Sequence, residues 1–164
     1  QTESLWSQIA MQAITGPLTG DKLTPMFLKH TIWREWRAAH PSTIVLSTRT
    51  GSFRNYDRDP YAGYGESSEL FFDTTHFDSR YHPKEWVIGI EIQGVTKAYP
   101  FLELKKVSSP VADQVNGQRV IVRYNASSRS ASVIDEQGKA IPSVTAFWFA
   151  WYAFHPDTQV FTPP

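Results

Sequence analysis

The sequence predicts an α+β domain of mostly antiparallel β-hairpins, with two related helices that come from an internal duplication. Three observations lead to this prediction. Short runs of alternating apolar and polar residues are separated by glycine-containing turns, which is typical of hairpins. Two tryptophan-bearing segments have the residue spacing of helices. These two segments are also nearly the same in sequence, which indicates that one unit has been duplicated.

The repeated pattern is Trp-x-x-Trp-x-x-x-His-Pro-x-Thr-x-Val. It begins at Trp33 and again at Trp148, so matched residues lie 115 positions apart (148 minus 33). Two tryptophans three positions apart share one face of a helix. The proline that follows the histidine disfavours helical backbone at that histidine, and the next residues are β-branched. The pattern therefore predicts a helix–stop–strand motif at residues 31–45 and again at 146–160.

The predicted elements follow one another along the chain. Residues 3–15 fit either a short helix or two strands around a turn, and a long irregular stretch covers residues 47–84. Gln93-Gly94 separates two alternating runs and marks the clearest hairpin. The remaining predictions are helices at 31–39 and 145–154, a helical turn at 102–107, and strands at 42–46, 86–92, 95–101, 119–124 and 130–135. The last helix is apolar nearly all round, which predicts burial on every side or packing against a partner.

Composition excludes several classes of function. The 164 residues, 1–164, fit a single domain, and their formal net charge is zero. A nucleic-acid partner is not expected, because no basic stripe is present. The chain has no cysteine, so disulfides and thiolate chemistry are excluded. No apolar run is long enough to span a membrane. Because the sequence starts at Gln1, with neither an initiator methionine nor a signal peptide, we expect it to be processed, trimmed or incomplete at its front.

Three long strings resemble a prokaryotic family known as domain of unknown function 3179. They are Asn-Tyr-Asp-Arg-Asp-Pro-Tyr-Ala-Gly-Tyr at 55–64, Gly-Ile-Glu-Ile-x-Gly-x-x-Lys-Ala-Tyr-Pro at 89–100, and Phe-Trp-Phe-Ala-Trp-x-Ala-Phe-His-Pro-Asp-Thr at 147–158. The resemblance implies a longer parent protein with an upstream half, of which this chain is the C-terminal portion. It also implies a periplasmic or extracellular location, because family members often carry export or lipoprotein signals. It implies no reaction and no catalytic residue.

The best candidate for a ligand site is the loop that contains Asp57, Arg58, Asp59, Tyr61 and Tyr64. Two acids flank an arginine, while a proline and a glycine could shape the backbone so that both tyrosine rings face one direction. Such a set could hold a sugar by stacking and by hydrogen bonds from its hydroxyls, or it could bind a hard cation. The alternative is a rigid surface loop in which Arg58 pairs with a carboxylate and the rings pack inward.

A second candidate site contains His76, Asp78 and His82, with Asp73 nearby in sequence. Imidazole and carboxylate groups bind metals such as zinc, iron or copper, and three such ligands would leave positions open for a substrate. A divalent metal is therefore the one cofactor that the sequence suggests. The alternative is that these side chains are ordinary exposed residues of a loop.

The repeated histidines, His40 and His155, are expected at helix C-termini. There an imidazolium gains from the helix dipole and can donate to a terminal carbonyl. The alternative is that the duplication brings both rings together near a pseudo-twofold axis, as a shared acid–base or metal site.

Three functions agree with these observations. The first is a binding or interaction domain outside the cytoplasm that contacts a small polar ligand or a partner protein through the loop of residues 57–64. The second is a metal-dependent hydrolase or oxidoreductase that uses His76, Asp78 and His82. The third is a structural subunit of a larger assembly. The sequence leaves open whether the protein is an enzyme.

Overall fold

The computed structural model describes residues 3–164, which form nine strands and three short helices. Most strands are antiparallel and lie in small sheets, so the predicted α+β class is confirmed. The strands are β1 Leu5–Ser7, β2 Gln12–Thr15, β3 Trp86–Ile92, β4 Val95–Pro100, β5 Val111–Val115, β6 Gln118–Asn125, β7 Ser130–Ile134, β8 Ser143–Phe147 and β9 Gln159–Val160. The helices are α1 Trp33–Ala39, α2 Phe101–Leu104 and α3 Trp148–Phe154. None of these helices has the length and apolar character that a membrane crossing requires.

Hairpins form where glycine-containing turns were predicted. Gln93 and Gly94 have φ values of +50° and +83°, the left-handed conformation that a tight two-residue hairpin turn needs. They join β3 to β4, with Ile92 opposite Val95. Another such turn joins β5 to β6, and β6 pairs with β7 as expected. Residues 3–15 form the β1–β2 hairpin, so the strand alternative is correct for that segment.

The β3–β4 hairpin lies at the centre of the fold and buries both of its faces. On one face Ile88, Ile90 and Tyr99 pack against the buried valines of the β5–β6–β7 sheet. On the other face the small residues Gly89 and Ala98 lie opposite each other across the hairpin. The tryptophans of α3 pack on that second face. The hairpin is therefore covered by a sheet on one side and by a helix on the other.

The segment β8–α3–β9 holds the central hairpin at both edges. β8 pairs antiparallel with β3, α3 follows at once, and β9 runs parallel to β4, which gives the sheet order β8-β3-β4-β9. The final helix is shorter than the predicted 145–154, because Thr145 to Phe147 hydrogen-bond to the edge of β3 as part of β8. Its apolar character is explained by burial, since Trp148, Phe149 and Trp151 are all buried.

The two tryptophan segments have the same local geometry. Trp36 Nε1 donates to Thr43 Oγ1 at 3.0 Å, and the matched donor on Trp151 bonds Thr158 at the same distance. In each segment the histidine after the helix has φ −134° and stacks on the second tryptophan, with ring centroids 4.2 and 4.0 Å apart. This likeness agrees with the predicted duplication, which itself stays a prediction.

The surroundings of the two segments differ. α1 has no buried residue, and the strand predicted at 42–46 does not form. A strand needs a neighbouring edge to supply hydrogen bonds, and no strand within residues 3–164 lies beside 42–46. The strand prediction was therefore wrong for the first segment. Residues 47–84 contain neither helix nor strand, as expected.

Candidate functional site

An open hollow of about 530 Å³ lies where the predicted ligand loop meets the segment that leads into β3. Three stretches of the chain contribute to it: part of the loop, the residues just before and at the start of β3, and the turn between β6 and β7. The lining residues are Asp59, Tyr61, Gly63, Gly65, Glu66, His82, Lys84, Glu85, Trp86 and Arg129. The hollow therefore combines residues that are far apart in the sequence.

Local hydrogen bonds shape the wall that the loop contributes. Asp59 Oδ1 accepts a hydrogen bond from the backbone N–H of Tyr61 at 2.8 Å, which is a side-chain turn typical of aspartate. The carbonyl of Tyr61 then accepts from the N–H of Tyr64 at 2.9 Å. Gly63 has φ +78°, a conformation that favours glycine. These contacts leave the Tyr61 side chain 63% exposed beside the hollow.

Lys84, which lines the hollow, anchors the adjoining loop. It is only 3% exposed, and its ammonium group donates to the backbone carbonyls of Ser67 and Glu69. The same group lies 3.7 Å from the centre of the Tyr64 ring, which is a cation–π contact. A buried ammonium group requires such partners, because its desolvation is costly. Lys84 therefore ties residues 64–69 to the start of the central sheet.

The structure does not bring the five predicted ligand residues to one place. Asp59 and Tyr61 line the hollow, whereas Asp57, Arg58 and Tyr64 are not among its lining residues. Asp57 and Arg58 are exposed. The Tyr64 ring stacks on Phe71 with centroids 4.1 Å apart, and it is tilted by 54° from the Tyr61 ring. The two tyrosines thus take different roles: Tyr64 packs and Tyr61 faces the solvent.

The three predicted metal ligands have separate environments. His82 lines the hollow, and its Nδ1 accepts from the backbone N–H of Lys84 at 3.2 Å. Asp78 forms a 2.9 Å salt bridge with Arg80, while His76 is exposed. Burial acts to raise the pKa of Asp78, but the hydrogen bonds and charge of Arg80 outweigh it and lower the pKa. No group of three or more His, Asp or Glu side chains placed to hold a metal ion occurs in residues 3–164.

His155 departs from the role expected of a charged helix-terminal histidine. Its backbone N–H donates to the carbonyl of Trp151 at 3.0 Å, and its ring stacks on that indole. Its Nε2 atom is buried with no hydrogen-bond partner in the part of the chain that the structure describes. Burial lowers the pKa of His155, although the charge of Glu91 acts in the opposite direction. Burial therefore favours the neutral imidazole, in contrast to the expected imidazolium.

Stability should depend on pH through His155. Its pKa lies below the ordinary value of 6.5 in the folded state, so its contribution is fully present above about pH 6.5 and is lost as pH falls through the lower folded pKa. We expect the melting temperature of the His155→Phe variant to fall less than that of the parent chain between about pH 7 and about pH 5. Equal slopes for His155→Phe and the parent would contradict this expectation.

The hollow has a mixed charge that suits a polar ligand. Asp59, Glu66 and Glu85 provide carboxylates, while Arg129 provides a guanidinium group with several donors. Tyr61 adds an exposed aromatic face. Arg129 and Lys84 had no sequence signal, because lysine and arginine are usually ordinary surface residues. Only folding brings them to the loop of residues 57–64.

Comparison with known proteins identifies a family that is described as having an unknown function. A family model that matches residues 1–158, nearly the whole chain, is described as a protein of unknown function (DUF3179). No curated protein and no solved structure matches the chain.

Proposed function

We propose that this chain, which belongs to the DUF3179 family, is a non-catalytic binding module whose hollow takes a small, hydroxyl-rich ligand such as a sugar. The proposal rests on one observation. A single open hollow is lined by Asp59, Tyr61, His82, Glu85 and Arg129. The sequence placed Asp59 and Tyr61 in one loop, and the fold brings His82, Glu85 and Arg129 to it. The volume of about 530 Å³ falls within the usual range for small-molecule sites.

The chemistry of the lining favours hydroxyl groups over apolar surfaces. Carboxylates accept hydrogen bonds from hydroxyls, and charged acceptors make the stronger of such bonds. Arg129 can donate to ligand oxygens, since its guanidinium carries several N–H groups. The exposed ring of Tyr61 offers an apolar face on which the carbon side of a sugar ring can rest. Together these groups match a ligand with both a polar rim and a flat apolar face.

Pre-organisation of the loop supports the same proposal. Asp59 Oδ1 already accepts a hydrogen bond from the Tyr61 N–H, which fixes its orientation. Lys84 holds the end of the loop through its bond to the Ser67 carbonyl. A wall that is ordered before binding loses less conformational freedom when the ligand arrives. The role of Lys84 is positioning, because its ammonium group is already satisfied by protein oxygens.

We place this module outside the cytoplasm, in the periplasm or the extracellular space. The support is the resemblance to a family whose members often carry export or lipoprotein signals. Fractionation of cells that express the natural gene, followed by detection of the chain with a specific antibody, tests this placement. Recovery of the chain in the cytoplasmic fraction alone would contradict it.

Two substitutions in the hollow test the proposed binding. We expect Tyr61→Ala and Asp59→Asn each to weaken binding of the best ligand from a panel of mono- and oligosaccharides by at least about tenfold, or about 1.4 kcal/mol. The first removes the aromatic face, and the second removes a charge while keeping the acceptor that turns the loop. Titration calorimetry on the folded variants measures the change.

The loop also supplies matched controls for these substitutions. Tyr56→Ala and Asp57→Asn alter a tyrosine and an aspartate of the same exposed stretch that do not line the hollow. Both should bind the ligand as the parent chain does. The proposal is wrong if no saccharide in the panel binds, or if the control variants lose affinity as much as the hollow variants do.

A further inference from the structure

Residues 28–46 and residues 143–161 are matched segments with unequal surroundings. In the second segment β8 pairs with β3, α3 crosses the hairpin and β9 runs along β4. In the first segment α1 repeats the helix, but residues 28–32 and 42–46 form no strand with any residue of 3–164. The first segment thus has the internal geometry of the second, but no residue of 3–164 pairs with it as β3 and β4 pair with β8 and β9.

Two apolar side chains that are exposed in the first segment have buried counterparts in the second. Trp33 is 49% exposed, whereas its counterpart Trp148 is fully buried. Leu46 is 96% exposed, whereas its counterpart Phe161 is 7% exposed and stacks near Tyr99. Ile44 and Val45 are exposed as well. Large exposed apolar patches commonly mark a contact surface.

We propose that residues 28–46 dock onto a β-hairpin of a partner polypeptide, which they extend by one strand at each edge. Residues 28–32 would pair as β8 does, and residues 44–46 would pair as the β9 region does, where the Phe161 N–H donates to the Ala98 carbonyl at 2.9 Å. Addition of strands to an exposed sheet edge is a common mode of peptide recognition, because main-chain hydrogen bonds supply the affinity.

The packing of Trp151 defines what the partner hairpin must contain. A Cβ atom added at Gly89 would lie 2.4 Å from the Trp151 ring, so the indole occupies space that only a glycine leaves free. Ala98 lies opposite Gly89 across the hairpin and is also small. For Trp36 to dock in the same way, the partner hairpin needs a small cross-strand pair at the matched position.

Charge adds a second requirement for the partner. Residues 28–46 contain Lys29, Arg34 and Arg37 but one acid, Glu35, so their formal charge is +2 (three minus one). A hairpin with a net negative charge is therefore the complementary partner, since opposite potentials favour and steer association. The proposed partner is an acidic β-hairpin with a small cross-strand pair.

A second copy of this chain does not meet the requirement. Both edges of its own β3–β4 hairpin are taken, by β8 and by β9, and Trp151 fills the space over Gly89. Docking of residues 28–46 there would first require removal of α3 and both flanking strands. The partner hairpin therefore lies outside residues 3–164.

The chain's own hairpin sequence provides a probe. An extra copy of residues 85–101 has the required glycine and a formal charge of −1 (two acids minus one lysine). It is fused to the N-terminus of the full chain through a flexible linker of about 30 residues, because an isolated hairpin is marginal in water and tethering raises its effective concentration. Hydrogen exchange followed by mass spectrometry should show at least about tenfold slower exchange in residues 28–32 and 44–46 than in the unfused chain.

Two matched changes make the test specific. A fusion in which only the added hairpin carries Gly89→Leu should lose the protection, and so should a fusion in which the chain carries Trp36→Ala. Unchanged protection of β3 and β4 in the parent part verifies that the fold is intact. The proposal is overturned if the added hairpin gives no protection of residues 28–46, or if the Gly89→Leu hairpin protects them equally. It is also overturned if the unfused chain dimerises and protects these residues, because the occupant would then be a second copy.

Discussion

Truncation of Trp151 to alanine is expected to lower the free energy of unfolding by about 3–5 kcal/mol. The indole is 1% exposed, it packs on the face of the central hairpin, and it donates a hydrogen bond to Thr158. Its loss leaves a cavity between the helix and the sheet that neighbouring side chains cannot fill. Equilibrium unfolding in urea, followed by circular dichroism, measures the change.

Trp36→Ala is the matched control for this prediction. Trp36 makes the matching hydrogen bond within its own segment, to Thr43, and its ring contacts the matched histidine, His40. α1 has no buried residue, so this truncation removes the local contacts without opening a core cavity. We expect a loss below about 1 kcal/mol. Similar losses for the two tryptophans would show that the helices are not buried as unequally as the structure describes.

Gly89→Ala is expected to destabilise the fold by about 1–3 kcal/mol, although it adds one methyl group. The new Cβ would meet three atoms of the Trp151 ring at 2.4 to 2.5 Å, and a buried indole cannot move aside freely. The same urea unfolding experiment applies. Gly65→Ala is the control, because a Cβ at Gly65 meets no atom within 4 Å and should change stability by less than about 0.5 kcal/mol.

A double variant separates the clash from a general effect of replacing glycine in a strand. If the indole is the obstacle, Gly89→Ala combined with Trp151→Phe should cost less than the two single losses added together, because the smaller ring leaves room for the methyl group. Additive losses would instead assign the effect to the backbone at position 89.

Most of the fold could be predicted from the sequence, because short-range residue preferences determine its turns and hairpins. The Gln93-Gly94 turn fixes both the connection and the register of the central hairpin, since its residues adopt left-handed backbone conformations. The start of α3 was harder to predict, because Thr145, Ala146 and Phe147 have no spacing that separates a helix from a strand. These residues form a strand because they pair with β3, which is more than fifty positions away in the sequence.

The candidate site was only partly predictable for the same reason. Asp59 and Tyr61 belong to one short loop whose composition was informative on its own. Lys84 and Arg129 reach the loop through tertiary structure, so no local pattern marked them. The metal hypothesis depended on the path of a loop without periodicity. In the structure Asp78 pairs with Arg80, and His82 lies at the hollow instead.

β9 is short, yet its position has a consequence for the behaviour of the whole molecule. Its two residues, Gln159–Val160, cover the outer side of β4, and the adjacent Phe161 adds one more backbone bond. Without this cover β4 would present unpaired amide and carbonyl groups to other molecules, which is how sheets associate into aggregates. Because β9 has only two residues, it replaces the long edge of β4 with a short one that offers little for another chain to pair with.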